Sequence, residues 1–322
     1  MHFELDTSQR DFAASIDGAL AAADVPGAIR AWSTGDTGPG RKVWATLADL
    51  GVTALMVSEE FDGIGAHVVD LMVAAERLGR WGVPGPVAES IAVAPVLLAD
   101  DQRSSALASG ELIATVAMPP RVPRAVDAEA AGLVLLAADG QVWDAEAGAR
   151  HESVDPARHP FDVTSVGDAR TADTARAFEF GALSTAAQLI GAGQAMLDGS
   201  VEYAKQRSQF GRVIGSYQAI KHALADVHIA VELARPLVYG AALSLADDSP
   251  DVARDVSAAK AAASDAALLA ARTALQTHGA IGYTQEHDLS LLILRVQALH
   301  SAWGDPTWHR RRVLEALAGS AS

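Results

Sequence analysis

Residues 217–245 read YQAIKHALADVHIAVELARPLVYGAALSL, and their apolar positions decide the fold. Tyr217, Ile220, Leu224, Val227, Val231, Ala234, Val238, Ala241 and Leu245 follow one another in steps of three and four without a slip. That period lays one continuous seam along a helix, the buried stripe of a helical bundle. Pro236 lies inside the seam, lacks a backbone N–H and crowds the preceding turn, which predicts a kink or a division there. Beyond it, Val252, Val256, Ala259, Ala263, Ala266 and Ala270 repeat the spacing, with side chains small enough for neighbouring backbones to come close.

Outward from this bundle the character changes twice. At the N-terminus Asp6 and Gln9 form a capping box, and Phe12, Ile16 and Leu20 recur at helical spacing after it. Pro and Gly punctuate Val25 to Gly40, after which VWATLADLGV and VVDLMVAAERLGRW return to a helical period. From Ala114 prolines become frequent, and Asp139-Gly140 stands between two apolar runs, a hairpin signal. That stretch is too short for a large sandwich. The fold class is α+β, mainly α: an N-terminal helical domain over 1–113, a reduced β domain over 114–180 and a C-terminal four-helix bundle over 181–322. No βαβ alternation supports a doubly wound sheet.

Composition narrows the function. Of 322 residues 50% are hydrophobic and 20% charged, which excludes a disordered chain. The formal net charge of -15 repels phosphate backbones and anionic headgroups, so neither nucleic acid nor a membrane surface is the expected partner. Without cysteine there is no disulfide framework, thiolate metal site or thiol nucleophile. MHFELDTSQRDF lacks the basic-then-apolar order of a leader, and no apolar run reaches about 18 residues, so a soluble cytoplasmic protein is expected. His222, His228, His278, His287, His300 and His309 include no pair at helix-face spacing beside an acid, so no metal site is expected.

Two segments carry possible chemistry. In YAKQRSQFGRVIGSYQ, Tyr203 to Gln218, one helix is read to end at Gly211 and the next to begin near Gly215, with Arg207 and Phe210 at the turn. An arginine there can clamp a pyrophosphate while the ring packs on a purine, or it can simply end a helix favourably above a buried Phe. In LQTHGAIGYTQE, Leu275 to Glu286, glycines close an Ala-rich helix, and Gly279 and Gly282 either admit a ligand or only form the turn.

Taken together with SEEFDGIGAHVVDLMVAAERLGR and ASGELIATVAMP, these segments resemble the acyl-CoA dehydrogenase family, in the family's order and over most of the chain. The resemblance implies three domains, FAD held at subunit interfaces, and α,β-desaturation of an acyl-CoA thioester. It also implies that Arg207, Phe210, Gln218 and the segment Gln276, Thr277, His278, Gly279 and Ala280 reach across an interface to a neighbour's FAD. Ala280 departs slightly from the glycine usual there.

Other departures are larger. In ALHSAWGDPTWHRRR, Ala298 to Arg312, Trp303 stands where the family's glutamate base belongs, and an indole cannot accept a proton. Members that carry the base on the first bundle helix align it near Gly181, and no acid follows until beyond Leu197. Glu179, alternating with Phe178 and Phe180, reads as a strand-end residue. The Thr-Glu-Pro and Gly-Ser-Asp loop and the Trp-x-Thr strand that hold the flavin ring are missing, and the β domain is about half the usual length.

The expectation is therefore a non-catalytic subunit of a heterotetrameric acyl-CoA dehydrogenase. A full-length partner supplies the base and binds most of the acyl-CoA, and this chain completes the FAD site shared across the interface. Short subunits of this kind resemble those of actinobacterial steroid catabolism. Two alternatives stay open: a complete homomeric enzyme with Asp305 as a displaced base, and a flavin-free scaffold or acyl-CoA-binding relic.

Overall fold

The side chain of Asp6 accepts the backbone N–H of Gln9 at 2.8 Å, and that of Gln9 accepts the N–H of Asp6 at 3.2 Å. This reciprocal pair starts α1, Thr7–Ala22, as the sequence predicts. The structure is a computed structural model and describes residues 4–284 and 287–319. Within the stretch read as punctuated lies a helix instead, α2, Val25–Ser33: Asp24 caps it and Pro26 sits in its first turn, where a missing N–H is harmless. Then come α3, Gly38–Asp49, and α4, Val68–Trp81. A π-helical stretch, Ala88–Val93, leads into α5, Ala94–Leu97, and α6, Ser104–Ala108, follows.

The β unit is one mixed sheet. Its strands are β1, Ala114–Ala117, β2, Ala125–Val126, β3, Leu133–Ala138, β4, Gln141–Arg150, and β5, Pro160–Thr171, in the order β1-β3-β4-β5-β2. Only β1 and β3 run parallel. Asp139 and Gly140 turn β3 into β4 with φ of 49° and 76°, the left-handed pair that a two-residue hairpin needs.

Helix α7, Thr174–Gln206, begins inside the stretch assigned from sequence to the β domain, so Glu179 is helical and not a strand-end residue. Helix α7 also stops short of Gly211. A two-stranded ribbon follows it, β6, Ser208–Gln209, and β7, Arg212–Val213, turned by Phe210 and Gly211 at φ of 52° and 81°. The bundle continues with α8, Gln218–Ala246, α9, Val252–His278, α10, Leu289–Ser301, and α11, Pro306–Gly319. Pro236 does not divide α8, which is one helix through it. Neighbouring Arg235 and Tyr239 reach the buried Glu76 of α4 at 3.2 and 3.0 Å and hold this part of α8 in place.

From Val227 to Leu245 the predicted α8 seam is buried. The α9 positions are buried from Val256 to Ala270, so the two periods do identify the core faces. Helix α4 crosses α7 at backbone contact. A Cβ on Gly191 would lie 1.8 Å from the Glu76 carbonyl oxygen, and one on Gly79 2.1 Å from that of Gln188. Two glycines thus lock the N-terminal helices onto the bundle.

Candidate functional site

Six of the residues singled out as cofactor contacts are exposed, and the bundle's connectivity puts them at one end. Helices α7 and α9 both finish there and α8 starts there. The Tyr203 ring, in the last turn of α7, stacks on His278, the last residue of α9, at 4.3 Å and 25°. Arg207 follows α7 directly in extended backbone, and Phe210 tips the β6–β7 turn, 92% exposed. The buried-Phe alternative for this turn is thereby excluded. Gln218 is the exposed first residue of α8.

At the end of α9, Gln276, Gly279 and Ala280 are exposed, whereas Thr277 and His278 turn inward. The Thr277 hydroxyl donates to the Thr273 carbonyl at 2.7 Å. His278 Nδ1 donates to the Ala274 carbonyl at 2.9 Å, and burial holds its imidazole below the ordinary histidine range. Gly279 has φ 63° and ψ −142°, a backbone closed to residues with a Cβ, which explains glycine at the turn. Gln285 and Glu286 of the same segment lie outside the described residues.

Trp303 lies towards the other end of α7, beside Gly181. Its indole is 1% exposed, and its Nε1 donates to Glu89 Oε1 at 3.1 Å. The ring lies directly on the α7 backbone: a Cβ on Gly181 would fall 2.4 Å from a ring carbon. The two positions at which the family resemblance puts a base are therefore in contact, and the indole of one occupies the space of the other. Phe178 extends the aromatic layer, with its ring 5.8 Å from Trp303 and 5.6 Å from Trp308.

This tryptophan is firmly held. Its own φ is 56°, an unusual backbone for a bulky residue, and its carbonyl accepts from His309 Nε2 at 2.9 Å. Lys260 of α9, with no exposed surface, donates to the carbonyls of Leu299, His300 and Gly304 at 3.3, 3.1 and 3.3 Å. One buried ammonium thus gathers carbonyls at the end of α10 and at Gly304. Burial pushes Lys260 down to about 7 and, with Lys260 beside it, His309 down to about 4.

Asp305 is exposed, and its Oδ1 accepts the N–H groups of Thr307 and Trp308 at 2.8 and 3.1 Å. Those bonds cap α11 and hold the carboxyl below its ordinary range. Glu179 pairs with Arg312, Nη1 to Oε2 at 3.0 Å. Glu89, 1% exposed, is engaged by the indole, and its Oε2 has no hydrogen-bond partner.

Glu89 and Lys260 were missed in the sequence, yet each had a signal. Glu89 is the lone acid of the run VPGPVAESIAVAPVLL, and Lys260 the lone cation on the buried face of an Ala-rich helix. Among the described residues no group of three or more His, Asp or Glu side chains is placed to hold a metal ion.

Comparison with known proteins follows the same division. Residues 6–103 match the family description "Acyl-CoA dehydrogenase, N-terminal domain" and residues 171–318 "Acyl-CoA dehydrogenase, C-terminal domain". The acyl-CoA dehydrogenase IpdE2 of Mycobacterium tuberculosis is 34% identical over 283 residues, 84% of this chain and 85% of that protein. In structure, the ChsE4-ChsE5 complex of the same organism matches with TM-score 0.84 at 22% identity, over 99% of each chain. A two-component "steroid ACAD", Tcur3481-Tcur3483, matches with TM-score 0.84 at 21% identity, over 98% of this chain and 99% of that one.

Proposed function

Because the chain belongs to the acyl-CoA dehydrogenase family, we propose that it is the non-catalytic subunit of a heterotetrameric member, completing the FAD site of a full-length partner. The observation that carries this reading is the contact of Trp303 with Gly181. Desaturation needs a group to take the α-proton, held within hydrogen-bond reach of the α-carbon. At both family positions this chain offers an indole or no side chain. Asp305 is tied into the α11 cap, which argues against a displaced base.

The exposed end of the bundle has the opposite character. Arg207 presents a guanidinium suited to a pyrophosphate, Phe210 a flat ring suited to a purine, and Gln218 and Gln276 amides for sugar or base. Gly279 and Ala280 leave room beside them, and Thr277 and His278 fix the turn from inside. These residues fit the adenine and pyrophosphate half of an FAD whose ring lies in another subunit. Bound FAD supplies the hydride acceptor, and this chain's part is to hold and orient it.

Assembly is supported by α8. Ile229, Leu233 and Leu237, 54%, 70% and 44% exposed, line up four residues apart on the side away from the buried seam. Among the described helices α8 is long and apolar enough to cross a membrane, yet its other face packs on α7 and α9. An apolar stripe on a packed bundle helix calls for a protein partner. The names of the two-component relatives support an unlike partner, and one of them supports a steroid-derived acyl-CoA, bound mainly by that partner in the cytoplasm.

The test is flavin retention in the complex isolated through a tag on this chain. Arg207→Ala and Phe210→Ala should each release FAD on gel filtration while the chains stay together. Unchanged flavin occupancy in both variants refutes the cross-interface role.

A further inference from the structure

The loop between β4 and β5, residues 151–159, ends on a buried histidine. His159 is 3% exposed, and both of its ring nitrogens face oxygen acceptors. Nδ1 lies 2.7 Å from Glu129 Oε1, and Nε2 lies 2.7 Å from the Pro156 carbonyl oxygen. A carbonyl has no proton to give, so Nε2 is the donor there. A carboxylate is a weaker base than an imidazole, so Nδ1 carries the proton of the other bond. The hydrogen-bond geometry therefore requires an imidazolium.

Carboxylates surround its charge. Asp127, with no exposed surface, has Oδ1 3.5 Å from His159 Nδ1, and the same oxygen accepts the His159 backbone N–H at 2.9 Å. Burial pushes the Asp127 carboxyl up to about 6, so above that pH two anions flank the ring. Of the neighbouring cations, Arg150 of β4 meets Glu129 at 3.4 Å and Arg158 lies 3.5 Å from Glu89. The loop's other anchor contains no histidine: Asp155 pairs with Arg295 of α10, whose Nη1 donates to the Val83 carbonyl at 2.9 Å. His151, where the loop begins, meets Asp162 of β5 at 2.8 Å.

We propose that protonated His159 is a pH-sensitive latch on the end of the β4–β5 loop. Loss of one ring proton sets a bare nitrogen against an oxygen 2.7 Å away and removes the positive charge between two carboxylates, so the ring leaves its slot. Arg158, the preceding residue, then loosens from Glu89, the carboxylate that accepts the Trp303 N–H. The ion pair of Asp155 with Arg295 confines the opening to the residues beyond it. The latch does not depend on the subunit reading.

The full chain, isotope-labelled, is followed by NMR of the histidine rings and by amide hydrogen exchange from about pH 6 to about pH 9. At the low end His159 should show protons on both ring nitrogens. Across the range, protection of the amides at 157–159, relative to α9, should fall at least about tenfold, as expected for loss of a hydrogen bond to a charged group. In His159→Gln that step should be absent. In Glu129→Gln, a partly exposed site, it should come at lower pH because the ring has lost a counter-charge. His151→Gln should leave it in place. A bare ring nitrogen at the low end, protection that stays level, or a step that survives in His159→Gln or disappears in His151→Gln overturns the proposal.

Discussion

Replacing Gly181 by alanine puts a methyl group 2.4 Å from a carbon of the Trp303 ring, more than an ångström inside van der Waals contact. The ring has little freedom to yield. Its N–H is bonded to Glu89, its carbonyl to His309, and the loop around it to Lys260. The substitution should therefore cost towards the upper end of the overpacking range, about 3 kcal/mol. In a Trp303→Leu background the ring carbons that the methyl would strike are gone, and alanine for glycine inside a helix should gain up to about 1 kcal/mol. The coupling between the two sites is then about 3 to 4 kcal/mol, far above the few tenths expected of independent positions. Urea unfolding of the parent, both single variants and the double variant, followed by far-ultraviolet dichroism, measures it. Equal effects of Gly181→Ala in the two backgrounds would mean that the indole does not lie on α7, and the account of the lost base would fall with it.

Further consequences concern the groups that hold Trp303. Lys260 titrates near 7 in the fold against 10.5 when unfolded, so between those values the unfolded chain binds more protons and stability should rise with pH. The rise in thermal midpoint from pH 7 towards pH 10 should be larger in the parent than in Lys260→Met; parallel curves would contradict a buried amine. Glu89→Gln keeps an acceptor for the indole N–H and should cost about 1 kcal/mol or less. Glu89→Leu leaves that N–H unmet and should cost about 2 to 3 kcal/mol, so equal losses would rule out the bond.

The helical seams were legible because burial against neighbours imposes the period itself: positions 227–245 of α8 and 256–270 of α9 are buried where the spacing puts them. The Asp139-Gly140 hairpin was legible because few residues accept its backbone. Helix α2 was not, although Asp24 and Pro26 mark a helix start, because Pro and Gly recur through Val25 to Gly40 as they do in a loop. The start of α7 was hidden by the alternation of Phe178, Glu179 and Phe180. Phe178 packs on Trp303 and Trp308 while Glu179 pairs with Arg312, so a tertiary layer mimics a strand's period. The tryptophan at the position where the family resemblance puts a base was readable, whereas its contact with Gly181 needed coordinates, since 122 positions separate them. The inward turn of Thr277 and His278 is likewise a matter of packing that no motif records.

The central claim is that this chain holds part of another subunit's FAD and has no working site of its own. Flavin content per chain measures it most directly, on the chain purified alone and on the complex captured with a full-length dehydrogenase. The account predicts a colourless chain alone, and in the complex one FAD for each pair of unlike subunits, bleached by acyl-CoA. One FAD per chain in the isolated protein, reduced by acyl-CoA without a partner, would contradict it.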